Sequence, residues 1–203
     1  MDPAMARSIY DSHSVQLVYE PPLEVDYKAR PYKLVPCFCE LPEVSADGLT
    51  YVFRTLDGRR ETLDAADLVR SLERLRDPNE VSPNGWVVKD VDTIRATDAR
   101  TVEIRLKRRV HYFAWLMALT ATAVRDKNGD GTGAYRLASW RKNHEMVFER
   151  RRPEPGGFDR LRYLVIDDMS TQWLMFLKGE LDFLGEISRD NFDSVVGADG
   201  RID

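Results

Sequence analysis

Alternating apolar and polar residues predict paired strands in the first half of the chain. Apolar side chains occupy every second position of residues 102–106, with charged side chains between them. This period of two is typical of a strand with one buried and one solvated face. Residues 91–96 are predicted to pair with it. Residues 49–56 are predicted as a further strand because they are rich in β-branched and aromatic residues and lie between the turn dipeptides Asp47-Gly48 and Asp57-Gly58.

Helical spacing of apolar residues predicts three helices in the same part of the chain. The clearest is residues 65–75, which Thr62 or Asp64 can cap. An early helix is predicted over residues 4–18, before two prolines that must stop it. Residues 111–124 are apolar on nearly every side and predict a largely buried helix.

The last third of the chain alternates between strand-like and helix-like segments. Asp167 or Asp168 can cap a helix there, and Gly179 can end it in the left-handed conformation. Strands and helices mixed in this way predict an α/β (mixed α+β) sheet domain. The predicted strands are residues 135–139, 146–150, 161–166 and 181–184, and the predicted helices are residues 169–177 and 190–196.

Composition and charge exclude two classes of function. The 203 residues, of which 43% are hydrophobic, suffice for one substantial core. Thirty Lys and Arg are mixed along the chain with 34 Asp and Glu, so no field of one sign is expected and nucleic acid is not an expected partner. No apolar run approaches the length that spans a bilayer. The first residues lack the basic and apolar segments of a secretory signal. Because a signal that has been removed leaves no trace, the sequence does not indicate the cellular compartment.

Candidate metal ligands are few. Cys37 and Cys39 lie on one face of an extended segment and are too close in sequence for an easy disulfide, so two free, packed thiols are predicted. The three histidines lack ligand spacing. Residues 126–131 match the first half of a calcium loop, but the twelfth position holds Leu137 where a Glu is needed. A polar turn is therefore the preferred interpretation, and neither a metal nor a cofactor is expected.

No motif for nucleophilic, phosphoryl or zinc chemistry occurs in the chain. Asp167 and Asp168 could form an acid/base pair, but capping of the following helix explains them better. The sequence therefore favours a binding protein over an enzyme, with no catalytic residue assigned. A hydrolase of unfamiliar design stays as an alternative, and it would need a pocket with a perturbed carboxylate pair.

Seven segments carry a resemblance to a known family. They are Asp2-Pro3-Ala4, Tyr19-Glu20 with Leu23, Leu34-Val35-Pro36, residues 45–53, residues 63–69 with Ser71-Leu72, residues 131–137 and Gly179-Glu180-Leu181-Asp182. In this order they resemble the extracellular solute-binding proteins of family 5, the substrate receptors of peptide, dipeptide and nickel ABC importers. The resemblance spans nearly the whole chain.

The resemblance implies a periplasmic-binding-protein-like (type II) lobe, with a mixed sheet flanked by helices. Residues 1–203 would form the first, incomplete lobe of a two-lobed receptor, with residues 188–203 at the start of the crossing toward the second lobe. Such a receptor closes on its solute and delivers it to a membrane permease of the ABC type. A periplasmic or extracellular location follows from the resemblance, and a lipid anchor is one way of holding the protein there.

The resemblance also implies where the solute lies. The expected contacts are the turn Tyr19-Glu20-Pro21 and the strand end Gly185-Glu186-Ile187. The competing interpretation is that Tyr19 belongs to the core and that the two glutamates are only solvated. A peptide, a nickel complex and a sugar stay open as the solute, and one lobe alone is expected to bind weakly or undetectably. The alternative function is a stand-alone interaction domain that self-associates through its exposed inter-lobe face.

Overall fold

The computed structural model describes residues 1–56, 63–153, 155–192 and 194–196, and the chain divides into two units. Unit 1 is Met1–Leu137 with Phe148–Asp159, and unit 2 is Ala138–Val147 with Arg160–Asp203. The helices are α1 (Ile9–Val18), α2 (Ala65–Arg74), α3 (Phe113–Leu116), α4 (Met169–Leu177) and α5 (Arg189–Phe192). The strands are β1 (Leu23–Asp26), β2 (Lys33–Pro36), β3 (Glu43–Val44), β4 (Thr50–Arg54), β5 (Val91–Ala96), β6 (Thr101–Leu106), β7 (Tyr135–Arg141), β8 (Glu145–Arg150) and β9 (Arg160–Leu164).

A four-stranded antiparallel sheet of order β3-β4-β6-β5 frames unit 1. Phe53 lies opposite Val102 in this sheet, and both side chains are buried. Because alternate residues of a strand share a face, one apolar face results, and α2 contacts β5 and β6. The predicted pairing of residues 91–96 with residues 102–106 and the strand predicted within residues 49–56 are confirmed.

The helix α2 begins where its cap predicts. The carboxylate of Asp64 accepts hydrogen bonds from the backbone N–H groups of Ala66 (2.9 Å) and Asp67 (3.1 Å), and the Asp67 carboxylate accepts one from the N–H of Asp64 (3.0 Å). These reciprocal bonds satisfy donors that the first helical turn leaves without partners. Asp64 is thus the cap, whereas the alternative, Thr62, lies outside the described residues.

The prediction of an early helix over residues 4–18 is wrong for its first residues. A short 3-10 turn occupies Pro3–Met5, and α1 starts only after Ser8. The Ser8 hydroxyl oxygen accepts from the Asp11 N–H (3.0 Å), and the Asp11 carboxylate accepts from the Ser8 N–H (3.0 Å). This capping box gives the helix a new start inside the predicted range.

The prediction of one long helix over residues 111–124 is also wrong. Regular α-helix is confined to α3, and a 3-10 turn follows at Thr120–Thr122. Leu119 is extended between them, and the Thr122 hydroxyl donates to its carbonyl oxygen at 2.8 Å. This local bond offers the backbone an alternative to continued helix. The expectation of burial is confirmed for Phe113, which is almost wholly inaccessible.

The two cysteines are free and buried, as predicted. Burial, followed by the nearby Cys37 and Glu40, raises the pKa of the Cys39 thiol to about 12. Since the thiolate is the reactive form, both the high pKa and the lack of access slow its chemistry.

We therefore expect Cys39 to react with a disulfide reagent such as DTNB at least tenfold more slowly in the native protein than in denaturant at pH 8, given the reactivity of an ordinary thiol. The C37S variant isolates the Cys39 signal, and full reaction in guanidinium provides the reference. Equal rates in the native and unfolded protein would contradict this placement.

Most of the elements predicted for the last third of the chain are present. The strands β7, β8 and β9 form a sheet in that order, and the predicted strands over residues 135–139, 146–150 and 161–166 are confirmed with slightly different bounds. Asp168 caps α4 by accepting from the Thr171 N–H at 2.7 Å. Gly179 follows with a φ of 73°, the left-handed stop that the sequence predicts.

Two predictions for the end of the chain are corrected. Residues 181–184 do not form a strand, and no neighbouring strand pairs with them in the described part of the chain. A strand requires such a ladder partner. Of the final helix predicted over residues 190–196, the structure shows α5 and a turn at residues 194 and 195, whereas residue 193 lies outside the described residues.

Unit 2 exposes several large apolar side chains. None of the residues of α4 is buried, although the helix is mostly apolar. Within the described residues, no helix is long and apolar enough to cross a bilayer. Large exposed apolar surfaces mark places where another surface packs. The exposed apolar side chains of unit 2 include Trp140, Val165, Leu174, Leu177, Phe183, Ile187 and Phe192.

Candidate ligand-binding site

The first candidate segment, Tyr19-Glu20-Pro21, lies in unit 1 and begins with a buried tyrosine. The Tyr19 hydroxyl lies 2.8 Å from the carbonyl oxygen of Gly129 and 3.2 Å from that of Met1. Burial is the main reason why the pKa of Tyr19 is raised. The neutral hydroxyl, which has one hydrogen, can therefore donate to one of these two carbonyl oxygens at any ordinary pH. The side chain of Tyr19 supports the segment from the core.

Glu20 and Pro21 continue this segment at half-buried positions. The Thr132 hydroxyl donates to Glu20 Oε2 at 3.0 Å, and the carbonyl oxygen of Glu20 accepts from the Val124 N–H at 2.9 Å. The carbonyl oxygen of Pro21 accepts from the Phe38 N–H at 3.1 Å. Both the backbone and the Glu20 carboxylate are thus held in place, which is the preorganisation that a binding site requires.

Two glycines bring Thr132 to Glu20. A Cβ atom on Gly131 would lie 2.3 Å from the Val18 carbonyl oxygen, and one on Gly133 would lie 2.5 Å from the Leu17 carbonyl oxygen. The Gly133 N–H also donates to the Val18 carbonyl oxygen at 2.8 Å. No side chain fits at this approach of two backbones. The sequence motif contains Thr132, but only the structure shows that it contacts Glu20.

An ion-pair network that the sequence did not indicate fixes the beginning of the chain close to Tyr19. The Asp2 carboxylate accepts from Arg74 Nη1 (3.1 Å), Arg74 Nη2 (2.6 Å) and Arg125 Nη1 (2.9 Å). Arg74 also donates from Nε to Glu80 at 2.8 Å. Burial alone would raise the pKa of Asp2, but the hydrogen bonds and charge of Arg74, with the charge of Arg125, outweigh it and lower the pKa.

This lowered pKa predicts a pH-dependent contribution to stability. The contribution is fully present above the unfolded pKa of about 3.9 and is lost as pH falls through the lower folded pKa. We expect D2N to lower the free energy of unfolding by about 1–3 kcal/mol at pH 7 and by less below pH 4.

Urea unfolding at several pH values measures this difference. The matched control is D92N, which removes the same charge from an exposed position on β5. If the loss in the free energy of unfolding caused by D2N is the same at pH 7 and pH 3, the ionised Asp2 carboxylate does not stabilise the fold as proposed.

Residues 126–131 form a turn that uses its own carboxylates. Asp126 Oδ1 accepts from the backbone N–H groups of Asn128 (2.8 Å) and Asp130 (2.7 Å), and Asp130 pairs with Arg151. This arrangement is an Asx-type turn, in agreement with the preferred sequence interpretation. Across the described residues, no group of three or more His, Cys, Asp or Glu side chains is placed to hold a metal ion.

The second candidate segment, Gly185-Glu186-Ile187, lies in unit 2. All three residues are exposed and lie outside regular helix and strand. A Cβ atom added to Gly185 would meet no heavy atom within 4 Å. The backbone of this segment is therefore open to a hydrogen-bonding partner.

Comparison with known proteins decides the family. Residues 33–201 match the model of the bacterial extracellular solute-binding proteins, family 5 Middle. The chain belongs to this family. Family 5 proteins are periplasmic or extracellular solute-binding proteins of peptide ABC importers.

Individual family 5 relatives agree with the fold. The dipeptide-binding protein DppE of Bacillus subtilis (strain 168) is 23% identical over 184 residues, covering 72% of this chain and 34% of DppE. OppA of Burkholderia pseudomallei is 22% identical with a TM-score of 0.83, covering 96% of this chain and 45% of OppA. OppA of Haemophilus influenzae, solved in complex with the peptide RPPGFSPFR, is 20% identical with a TM-score of 0.82, at 96% and 45% coverage. These structures confirm the periplasmic-binding-protein-like fold, and the chain spans less than half the length of these relatives.

Proposed function

We propose that this chain is the first lobe of a peptide-binding receptor and contributes one wall of the site that captures the solute. Residues 1–203 would form that lobe, with residues 188–203 at the start of the crossing toward the second. The observation that carries the proposal is the family match together with a fold likeness covering 96% of the chain. The peptide in the H. influenzae OppA complex supports a peptide as the class of solute.

The proposed mechanism is main-chain pairing with an extended peptide. Exposed backbone can bond to peptide N–H and C=O groups whatever the peptide side chains are. In unit 1, the Glu20 carboxylate would accept from a peptide N–H or a terminal ammonium while Thr132 holds its orientation, because a carboxylate can accept several hydrogen bonds at once. Pro21 would contact the peptide beside it, and Tyr19 would support both from the core.

We propose the segment Gly185-Glu186-Ile187 of unit 2 as a further place where a peptide backbone can pair. Its exposed backbone suits the same main-chain pairing. The completed receptor would release its peptide to an ABC permease in the membrane, without chemical change to the solute. A lipid anchor would keep such a receptor at the membrane surface.

An NMR titration with short peptides such as trialanine tests this proposal. We expect localised shifts at Tyr19, Glu20 and residues 185–187, with a dissociation constant of roughly 1 mM because one lobe provides only part of the contacts. E20Q should weaken binding at least threefold, whereas E24Q, at an exposed position on β1, should not. Micromolar affinity would contradict the single-lobe proposal, and the absence of localised shifts would contradict the site.

A second candidate function is self-association, and the exposed apolar side chains of unit 2 are the observation behind it. Leu174 and Leu177 are both more than half exposed, and exposed patches of this kind mark interaction surfaces. Sedimentation equilibrium should then show a concentration-dependent mass that L174S/L177S reduces and L41S, at an exposed position of unit 1, does not. A monomer at all concentrations would exclude this candidate.

A further inference from the structure

The tip of the β1–β2 hairpin carries two exposed aromatic rings. Strands β1 and β2 pair from Leu23↔Pro36 to Asp26↔Lys33, which leaves residues 27–32 as the connecting loop. Tyr27 is 68% exposed and Tyr32 is 50% exposed. The two ring centroids lie 5.8 Å apart in an edge-to-face arrangement, so the rings form one ordered apolar patch in solvent.

The same tip is basic, although the chain as a whole has a net charge of -4. Residues 26–33 contain three basic side chains, Lys28, Arg30 and Lys33, and one acidic side chain, Asp26. All three basic residues are exposed. The Arg30 guanidinium carbon lies 4.4 Å from the centroid of the Tyr32 ring, a cation–π contact.

The loop is held in shape by its own hydrogen bonds. Asp26 Oδ1 accepts from the backbone N–H groups of Lys28 (2.9 Å) and Ala29 (3.3 Å). Arg30 Nη1 donates to the carbonyl oxygens of Tyr27 and Ala29, the latter at 2.8 Å. The aromatic rings and basic groups are therefore presented together without further ordering of the loop, which lowers the entropic cost of binding a partner.

We infer that this hairpin tip, residues 26–33, docks on the surface of a bilayer that contains anionic phospholipids. Tyrosine rings with an apolar body and a polar hydroxyl favour the membrane–water interface. Lysine and arginine beside them are attracted to anionic headgroups while their stems cover apolar surface. Members of this family are periplasmic or extracellular, so they can meet a bilayer surface. Docking at the tip adds a second, reversible membrane contact that is independent of the solute site.

Co-sedimentation with vesicles tests the inference on the whole chain. The vesicles contain either phosphatidylcholine alone or equal parts of phosphatidylcholine and phosphatidylglycerol, at millimolar lipid and low salt. We expect binding to the anionic vesicles only, weakening with added salt. K28Q/R30Q/K33Q should lower the partition coefficient roughly 100-fold, since each basic residue near such a surface contributes about a fivefold factor.

Matched variants separate the tip from general charge. The control K89Q/K127Q/K142Q removes the same three charges from exposed positions elsewhere and should change binding less than threefold. Y27S/Y32S should weaken binding about tenfold, whereas Y10S/Y112S, which also removes two exposed rings, should not. Circular dichroism verifies that every variant is folded.

Three results with vesicles would overturn the inference. They are equal losses in the tip and control triples, equal binding to neutral and anionic vesicles, and no binding of the unaltered chain to anionic vesicles. Retention on heparin or nucleic acid as strong as that on vesicles would identify a general polyanion surface and would also overturn it.

Discussion

Replacing Gly133 by alanine should lower the free energy of unfolding by about 2–3 kcal/mol, the upper part of the range for added volume in a packed interior. The added Cβ would lie 2.5 Å from the Leu17 carbonyl oxygen and 2.7 Å from the Val18 carbonyl carbon. Both contacts are with backbone, so no side-chain rotation can relieve them. Separation of the two segments would also weaken the 2.8 Å bond from the Gly133 N–H to Val18. Urea denaturation at pH 7 measures the loss.

Gly156 provides the comparison for this variant. It lies in unit 1, and a Cβ atom there would meet no heavy atom within 4 Å, although its φ of 77° is in the left-handed region. G156A should therefore cost about 1 kcal/mol through backbone strain alone. If G133A cost no more than G156A, the close approach of the two backbones would be refuted.

Truncation of Leu72 to alanine should have the largest effect, a loss of about 3–4 kcal/mol in the free energy of unfolding. Leu72 is 0% exposed and belongs to α2, which packs on β5 and β6. The substitution removes apolar contacts and leaves a cavity that the surrounding sheet cannot fill completely.

The matched control is L41A in the same unit, where the side chain is 51% exposed. Its loss should stay below about 0.5 kcal/mol. Chemical denaturation monitored by circular dichroism measures both variants. A loss below 1 kcal/mol for L72A would contradict the placement of α2 over the sheet.

The sequence predicts those elements whose local signals agree with their packing. β6 has a clear period of two, α2 has a clear period of 3.6 with a cap at its start, and each lies where the pattern predicts. Residues 111–124 show the limit of this reasoning. Their apolar character predicts burial correctly, but a side-chain bond from Thr122 to the backbone of Leu119 competes with helix in a way that periodicity does not reveal.

The candidate site could be predicted only as segments of the chain. A resemblance to family motifs indicates Tyr19-Glu20-Pro21, but the contact of Glu20 with Thr132 joins residues more than a hundred positions apart. Such contacts depend on tertiary packing, and periodicity carries no information on them. The ion-pair network around Asp2 also depends on tertiary packing. The sequence does not predict it, because isolated Asp and Arg residues in a sequence usually indicate solvated surface.

The most direct test of the proposed function compares trialanine with its backbone N-methylated analogue in the same NMR titration. The two ligands share their side chains and differ in the backbone N–H donors, so main-chain recognition should distinguish them. We expect trialanine to shift the signals of Glu20 and residues 185–187 and the analogue to bind at least tenfold more weakly, as expected from the loss of one or two hydrogen bonds. Equal affinity for the two ligands, or no binding of either, would contradict capture of a peptide through its backbone.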